Sequence, residues 1–297
     1  MTVRFVLWAI LCAVLSTSAM AGGQGRLTIY TVNYPLQYFA QRIAGEHADV
    51  IFPAPTDEDP AFWQPSVDII ADYQRADLIL LNGAGYAKWI NRVALPRRKL
   101  VDSSAGFRDD YIHVDEDVTH SHGPGGDHSH SGTAFTTWLD FRQAAEQARA
   151  IADAMSRQRP QWETDFLRNL TVLEAELLEL DQQIQSTVAA KPDLLLLASH
   201  PVYQYLQRRY GLKLQSVMWE PAEVPDEAAW SALGHILREH PAQWMIWEGE
   251  PNSESSQRLH NLGVGSRVFD PAGNRPQDGD FLDVMQQNVK NLQQVFN

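Results

Sequence analysis

The chain has a single cysteine, Cys12, and it lies in an apolar leader; no thiol occurs beyond it. No disulfide can therefore brace the folded part, and thiolate nucleophiles or thiolate metal ligands are excluded there. Long apolar runs are missing too: Phe5–Leu15 falls short of the roughly 20 residues that span a membrane as a helix. Cations are scarce, with 24 Lys and Arg against 37 Asp and Glu and a net charge of −13. A surface of that sign repels nucleic acid and anionic lipid and weakly attracts cations, so no nucleic-acid partner is expected. HExxH, G-x-S-x-G and Walker signatures are all absent, and no acidic pair has a spacing that marks general acid–base work. The chain does not read as an enzyme.

What is present begins with the leader. Arg4 precedes the apolar run, and Ser18-Ala19-Met20-Ala21 offers small residues for cleavage, so residues 1–21 read as an export signal. A cysteine-free exported chain fits a bacterial periplasm. The remaining length suffices for two lobes, each with its own core.

Strand and helix patterns alternate along it. Arg26–Val32, Val50–Phe52, Asp77–Leu81 and Leu100–Asp102 read as strands; Pro35–Ala44, Val67–Arg75 and Tyr86–Val93 read as helices. Asp140–Ser156 and Pro160–Thr187 are helical. The second carries one stripe, Trp162, Phe166, Leu170, Leu173, Leu177, Leu180 and Ile184, at steps of three and four. The alternation then restarts, with strands at Asp193–Ala198, Leu214–Trp219, Met245–Trp247 and Arg267–Phe269. Helices follow at Val202–Tyr210, Ala228–His240, Ser255–Leu262 and Phe281–Val295. The fold class is α/β: two lobes, each a mainly parallel sheet flanked by helices, joined by one long rigid helix. The boundaries fall at 22–140 for the first lobe, 141–189 for the linking helices and 190–297 for the second lobe.

Four of the ten histidines crowd into HSHGPGGDHSH, as His120, His122, His128 and His130. Neutral imidazole is a common ligand for Zn²⁺ and related ions, so the segment 113–131 points to metal. It lacks hydrophobic residues between Thr119 and Thr133 and is expected as an exposed loop without strand or helix. His235, His240 and His260 have no evident partners and read as packing or surface residues. Phe62, Trp63, Trp138, Trp219 and Trp247 read as core, with a cleft wall as the alternative.

Several motifs resemble the solute-binding proteins of zinc and manganese ABC importers, the ZnuA/TroA-like family. VNYPLQYFAQRIAG resembles its opening strand and helix, PSVDIIADYQRADLILLNGAGYAKWI its "ADL…NG.G.E.W" segment, and TWLDF its "WLDP". SHPVYQYLQRRYGL, MIWEGEPNSESSQRL and VFDPAG resemble its "HDAFGYFAERYGL", "IFVEPQFSSKAAETI" and "VLDPLG". The motifs keep their order along nearly the whole chain. The resemblance implies a periplasmic protein, expected as a monomer, that captures a divalent ion, zinc first and manganese or another divalent metal next. It also implies delivery to an ABC importer permease in the inner membrane.

The family's four ligands map unevenly. His200 and Asp270 match two of them, whereas Ala61 and Thr136 stand where the family has histidines. Two remaining donors alone would hold Zn²⁺ poorly, since it takes about four. Three readings follow. Imidazoles of His120, His122, His128 and His130 fold over the cleft; or carboxylates (Glu58, Asp59, Glu220, Glu223, Glu248) replace the lost ligands; or the cleft has lost its metal. In the last case the histidine loop alone would serve as a buffer, metallochaperone or sensor.

Overall fold

The structure, a computed structural model, describes residues 25–114 and 132–297, with the backbone of residues 119–121 and 127–129. The leader with Cys12, and His122 and His130, lie outside the described residues. In the first lobe, β1 (Leu27–Thr31), β2 (Ala48–Ile51), β3 (Leu78–Leu81) and β4 (Leu100–Asp102) form a parallel sheet in the order β2-β1-β3-β4. Helix α1 (Tyr34–Ala44) starts where the Asn33 side chain accepts from Leu36 N at 3.2 Å, and it stops at Gly45, whose φ is 55°. Helix α2 (Val67–Arg75) is capped in the same manner by Ser66.

The segment Tyr86–Val93 forms only a 3-10 turn, Lys88–Arg92, instead of the expected helix. Gly83, Ala84, Gly85 and Ala87 all have positive φ, and a right-handed helix cannot run through left-handed backbone. The histidine-rich stretch also departs from expectation. Short strands β5 (His113–Val114), β6 (Thr119–Ser121), β7 (Asp127–Ser129) and β8 (Gly132–Thr133) pair antiparallel, β5 with β8 and β6 with β7, which sets His120 opposite His128. A ladder of this kind is made by backbone groups alone and needs no apolar face.

Helix α3 (Phe141–Gln158) opens on Asp140, whose carboxylate accepts from Arg142 N at 3.1 Å. A 3-10 turn at Pro160–Trp162 leads into α4 (Glu163–Ala189), ~40 Å long at 1.5 Å per residue. Its stripe, from Phe166 to Ile184, is buried as the spacing implies. The second lobe repeats the first: β9 (Leu195–Ala198), α5 (Gln204–Tyr210), β10 (Lys213–Ser216), α6 (Glu227–Glu239), β11 (Trp244–Trp247), α7 (Ser253–Asn261) and β12 (Gly265–Val268). Its sheet is parallel in the order β10-β9-β11-β12.

Helix α8 (Phe281–Phe296) returns to the linking layer, with Phe281 against Phe39 and Tyr38 of α1 at ring separations of 5.3 and 5.6 Å. One apolar core therefore runs from α1 through α3, α4 and α8 into the second lobe, while Trp219, Trp230, Leu233, Trp247 and Leu259 form a smaller distal core. Buried Asp181 of α4 fixes the lobes further. It accepts from Arg209 at 2.8 and 2.6 Å and from the Tyr210 hydroxyl at 3.0 Å, both on α5. Burial pushes the Asp181 carboxyl up, but the Arg209 and Tyr210 hydrogen bonds outweigh it and hold the group below its ordinary range. Among the described residues no helix is long and apolar enough to cross a membrane.

Candidate metal centre

Every strand of the second-lobe sheet is followed within a few residues by a group able to ligate a cation. His200 follows β9, Glu220 follows β10, Glu248 directly follows β11, and Asp270 follows β12. Side chains at the carboxyl ends of parallel strands converge at the point where strand order reverses, which is where such sheets bind ligands. The ligating atoms of His200, Glu220 and Glu248 all lie within 4.8 Å of one another. His200 Nδ1 is 3.5 Å from Glu220 Oε1 and 3.7 Å from Glu248 Oε1. The imidazole is buried, with its side chain 3% exposed, and both glutamates stand at 24%, so the cluster opens to solvent on its acidic side.

Electrostatics mark the same place. Burial pushes the Glu248 carboxyl up to about 8, helped in order by the negative charges of Glu220, Asp59 and Asp270. Asp270 is raised by burial, against the hydrogen bond that its Oδ1 accepts from Ala272 N at 2.7 Å. Carboxyls of like charge crowded around one buried imidazole cannot all ionise cheaply, and a divalent cation relieves that repulsion. Imidazole and carboxylate oxygen are both ordinary zinc ligands, so the donor set fits such an ion.

The two lost family positions are filled structurally. Ala61 is buried, and its amide donates to Asp59 Oδ1 at 2.8 Å. The Thr136 hydroxyl donates to the Val202 carbonyl at 2.5 Å, joining the lobes two residues beyond His200. Trp63, Trp138, Trp219 and Trp247 are core, and Phe62 packs on the core half-buried. Trp219 and Trp247 directly precede Glu220 and Glu248, and their rings lie 6.1 Å apart. They anchor the chain where the two carboxylates leave the sheet. His240 bonds the Leu196 carbonyl at 2.9 Å, while His235 sits beside Arg238 on α6; neither belongs to the cluster.

His200 is thus brought together with Glu220 and Glu248, and Asp270 stands close enough to act on Glu248 electrostatically. The side chains of His120, His122, His128 and His130 lie outside the described residues. Glu220 and Glu248 emerge as ligand candidates of the same rank as His200, and the signal that finds them is positional. Each is the first acidic residue after a predicted strand of a parallel sheet.

Two α/β lobes held on one long helix, with a candidate cation site at the strand ends of the second lobe, form the architecture of a cleft-type solute-binding protein. The chain belongs to the family described as zinc-uptake complex component A, periplasmic, whose model matches residues 29–295. Among its relatives is the zinc-binding lipoprotein AdcA of Streptococcus pneumoniae strain R6, 24% identical over 98% of this chain, which spans 60% of that protein's length. Another is the high-affinity zinc uptake system protein ZnuA of Bacillus subtilis, 24% identical over 95% of this chain and 91% of the relative. Of solved structures, the metal-dependent lipoprotein YcdH of Bacillus subtilis matches with a TM-score of 0.77 at 21% identity, over 91% of this chain and 98% of that one. The Zn(II)-bound ZnuA-like domain of Streptococcus pneumoniae AdcA matches with a TM-score of 0.76 at 20% identity over the same shares. At such identity these structures establish the fold. Membership in the family places the chain outside the cytoplasm.

Proposed function

We propose that this protein captures a divalent metal ion, zinc first, in the second-lobe site and delivers it to an ABC importer permease in the inner membrane. The observation that carries the proposal is the convergence of His200, Glu220 and Glu248 within 4.8 Å, with Asp270 beside them. In this reading carboxylates, rather than loop imidazoles, take the place of the histidines missing at Ala61 and Thr136. The leader at residues 1–21 supports a periplasmic location, and the family description supports the importer as partner. The continuous core and the Asp181 hub limit the lobes to small movements, so loading acts on loops at the cleft rather than by wide closure.

The histidine-rich segment serves as an auxiliary collector of ions near the cleft. Its root supports this: β8 runs into Ala134, whose carbonyl accepts from the Tyr205 hydroxyl of the second lobe at 3.0 Å. Titration calorimetry of the leader-free protein with Zn²⁺ tests the function. One site tighter than micromolar is expected; no binding at that level would sink the importer role. A second reading, in which the loop alone binds as a buffer or sensor, requires all tight binding to vanish when residues 119–131 are removed.

A further inference from the structure

The segment Pro271–Arg275 leaves the second-lobe site directly after Asp270 and grips the first lobe through four of its five residues. The Pro271 carbonyl accepts from Trp138 Nε1 at 2.7 Å, and the Gly273 carbonyl accepts from Tyr34 N at 3.1 Å. Asn274 Nδ2 donates to the carbonyls of Pro55 at 2.6 Å and Glu58 at 2.8 Å. Arg275 Nη1 donates to the Ala54 carbonyl at 3.2 Å, Nη2 donates to that of Phe52, and the guanidinium sits 4.7 Å from the centre of the Phe52 ring. The Asn274 amide is oriented by its own Oδ1, which accepts from Arg275 N at 2.8 Å.

The gripped segment has little structure of its own. FPAPTDEDP contains three prolines without N–H groups and no helix or strand, so its carbonyls find their donors on the opposite lobe. Its penultimate residue is Asp59, the first-lobe carboxylate whose charge acts on Glu248. At the other end of the strap, Asp270 Oδ1 accepts from Ala272 N at 2.7 Å, and Ala272 has φ 53°, a left-handed conformation that costs a non-glycine residue about 1 kcal/mol. One carboxylate therefore both acts on the charge of Glu248 and shapes the strap.

We propose that Asn274 and Arg275 are positioning residues that hold the first-lobe segment 52–59 in register, so that the Asp59 carboxylate faces the second-lobe cation site. The proposal rests on the reading of that site as a cation-binding centre. The site's ligands all come from one lobe, and the strap brings in a negative charge from the other. Asp59 then adds to the field that attracts the ion.

A double-mutant cycle in the full leader-free chain tests it, with Zn²⁺ affinity read by calorimetry under chelator competition. Asn274→Ala/Arg275→Ala and Asp59→Asn are each expected to weaken binding about tenfold. Combined, they should bind within about twofold of Asp59→Asn alone, because the strap acts through Asp59. Amide exchange in residues 52–63 should quicken in the strap variant and not in Asp59→Asn. Strap-variant affinity within about twofold of wild type would overturn the proposal, as would losses that multiply to about a hundredfold in the combined variant. If the double strap variant melts below the assay temperature, Asn274→Ala alone enters the same cycle. Wild-type protein that binds no Zn²⁺ overturns the underlying site reading instead, a separate outcome visible before any variant is made.

Discussion

The two lobes share one sheet order and treat the carboxyl ends of their strands in opposite ways. In the first lobe the ends of β1 and β3 carry neutral groups that satisfy each other, and the one carboxylate there, Asp102 at the end of β4, is paired with Arg108. Asn33 Nδ2 donates to Asn82 Oδ1 at 3.2 Å, and Asn82 Nδ2 donates to the Phe135 carbonyl at 2.8 Å. Gln147 of α3 donates to Ser103 Oγ at 2.9 Å and to Asn82 Oδ1 at 3.3 Å, and it accepts from the Thr137 hydroxyl at 3.3 Å. In the second lobe the equivalent ends carry His200, Glu220, Glu248 and Asp270, whose charges crowd one another. Topology fixes where a site can form; the residues decide whether that place becomes a closed polar core or an open cation trap. The first lobe uses its switch point for stability, and the second accepts repulsion that a proton on Glu248 or a bound cation relieves.

The largest effect that would break this contrast is at His200. His200→Ala removes the imidazole of the cluster and should weaken Zn²⁺ binding about a hundredfold or more, ~2.7 kcal/mol, by calorimetry. The same substitution should leave the melting temperature of the ion-free protein close to wild type or higher. Asn82→Ala is the mirror experiment. It strands buried partners of the amide network and should lower unfolding free energy by about 2 kcal/mol in urea, with Zn²⁺ affinity changed less than about threefold.

Glu248 sharpens the comparison through pH. Its carboxyl stands at about 8 in the folded chain against 4.5 ordinarily, so the folded state holds a proton that the unfolded state has lost. Stability from this group is full below about pH 4.5 and is lost as pH rises through about 8. Glu248→Gln should therefore raise the ion-free unfolding free energy at pH 8, by on the order of 1 kcal/mol, and leave it nearly unchanged at pH 5. Zn²⁺ affinity moves the other way in wild type, increasing with pH up to about 8 as the ion displaces that proton. The smallest change is expected from deleting residues 119–131. The tight site should keep its affinity within about threefold while the number of weakly bound ions falls, read by the same titration.

Much of the fold is written in local pattern. The α2 boundaries, Val67–Arg75, follow from the spacing of its apolar residues and the Ser66 cap, and the α4 stripe is legible as it stands. Where local signals mislead, the reason is backbone conformation that side chains do not advertise. Alanines at 84 and 87 are good helix formers, yet both are left-handed in the structure. The site divides in a similar way. His200 and Asp270 are legible because they stand in recognisable motifs. Glu220 and Glu248 rank with His200 only once strand order is known, since the 27 residues of chain between them give no hint that their carboxylates meet. The strap is less legible still, because Asn274 and Arg275 bond to carbonyls more than 200 positions away, and carbonyls leave no mark in a sequence.

The tryptophans that precede the two glutamates have a spectroscopic consequence. Trp219 and Trp247 lie one peptide bond from Glu220 and Glu248, and Trp230 sits 4.6 Å from Trp219, so three indoles form an excitation-sharing group beneath the site. An ion that draws the two carboxylates together changes the field across those rings. The protein thus carries its own optical gauge of occupancy, and emission intensity should follow filling of the site without any added label.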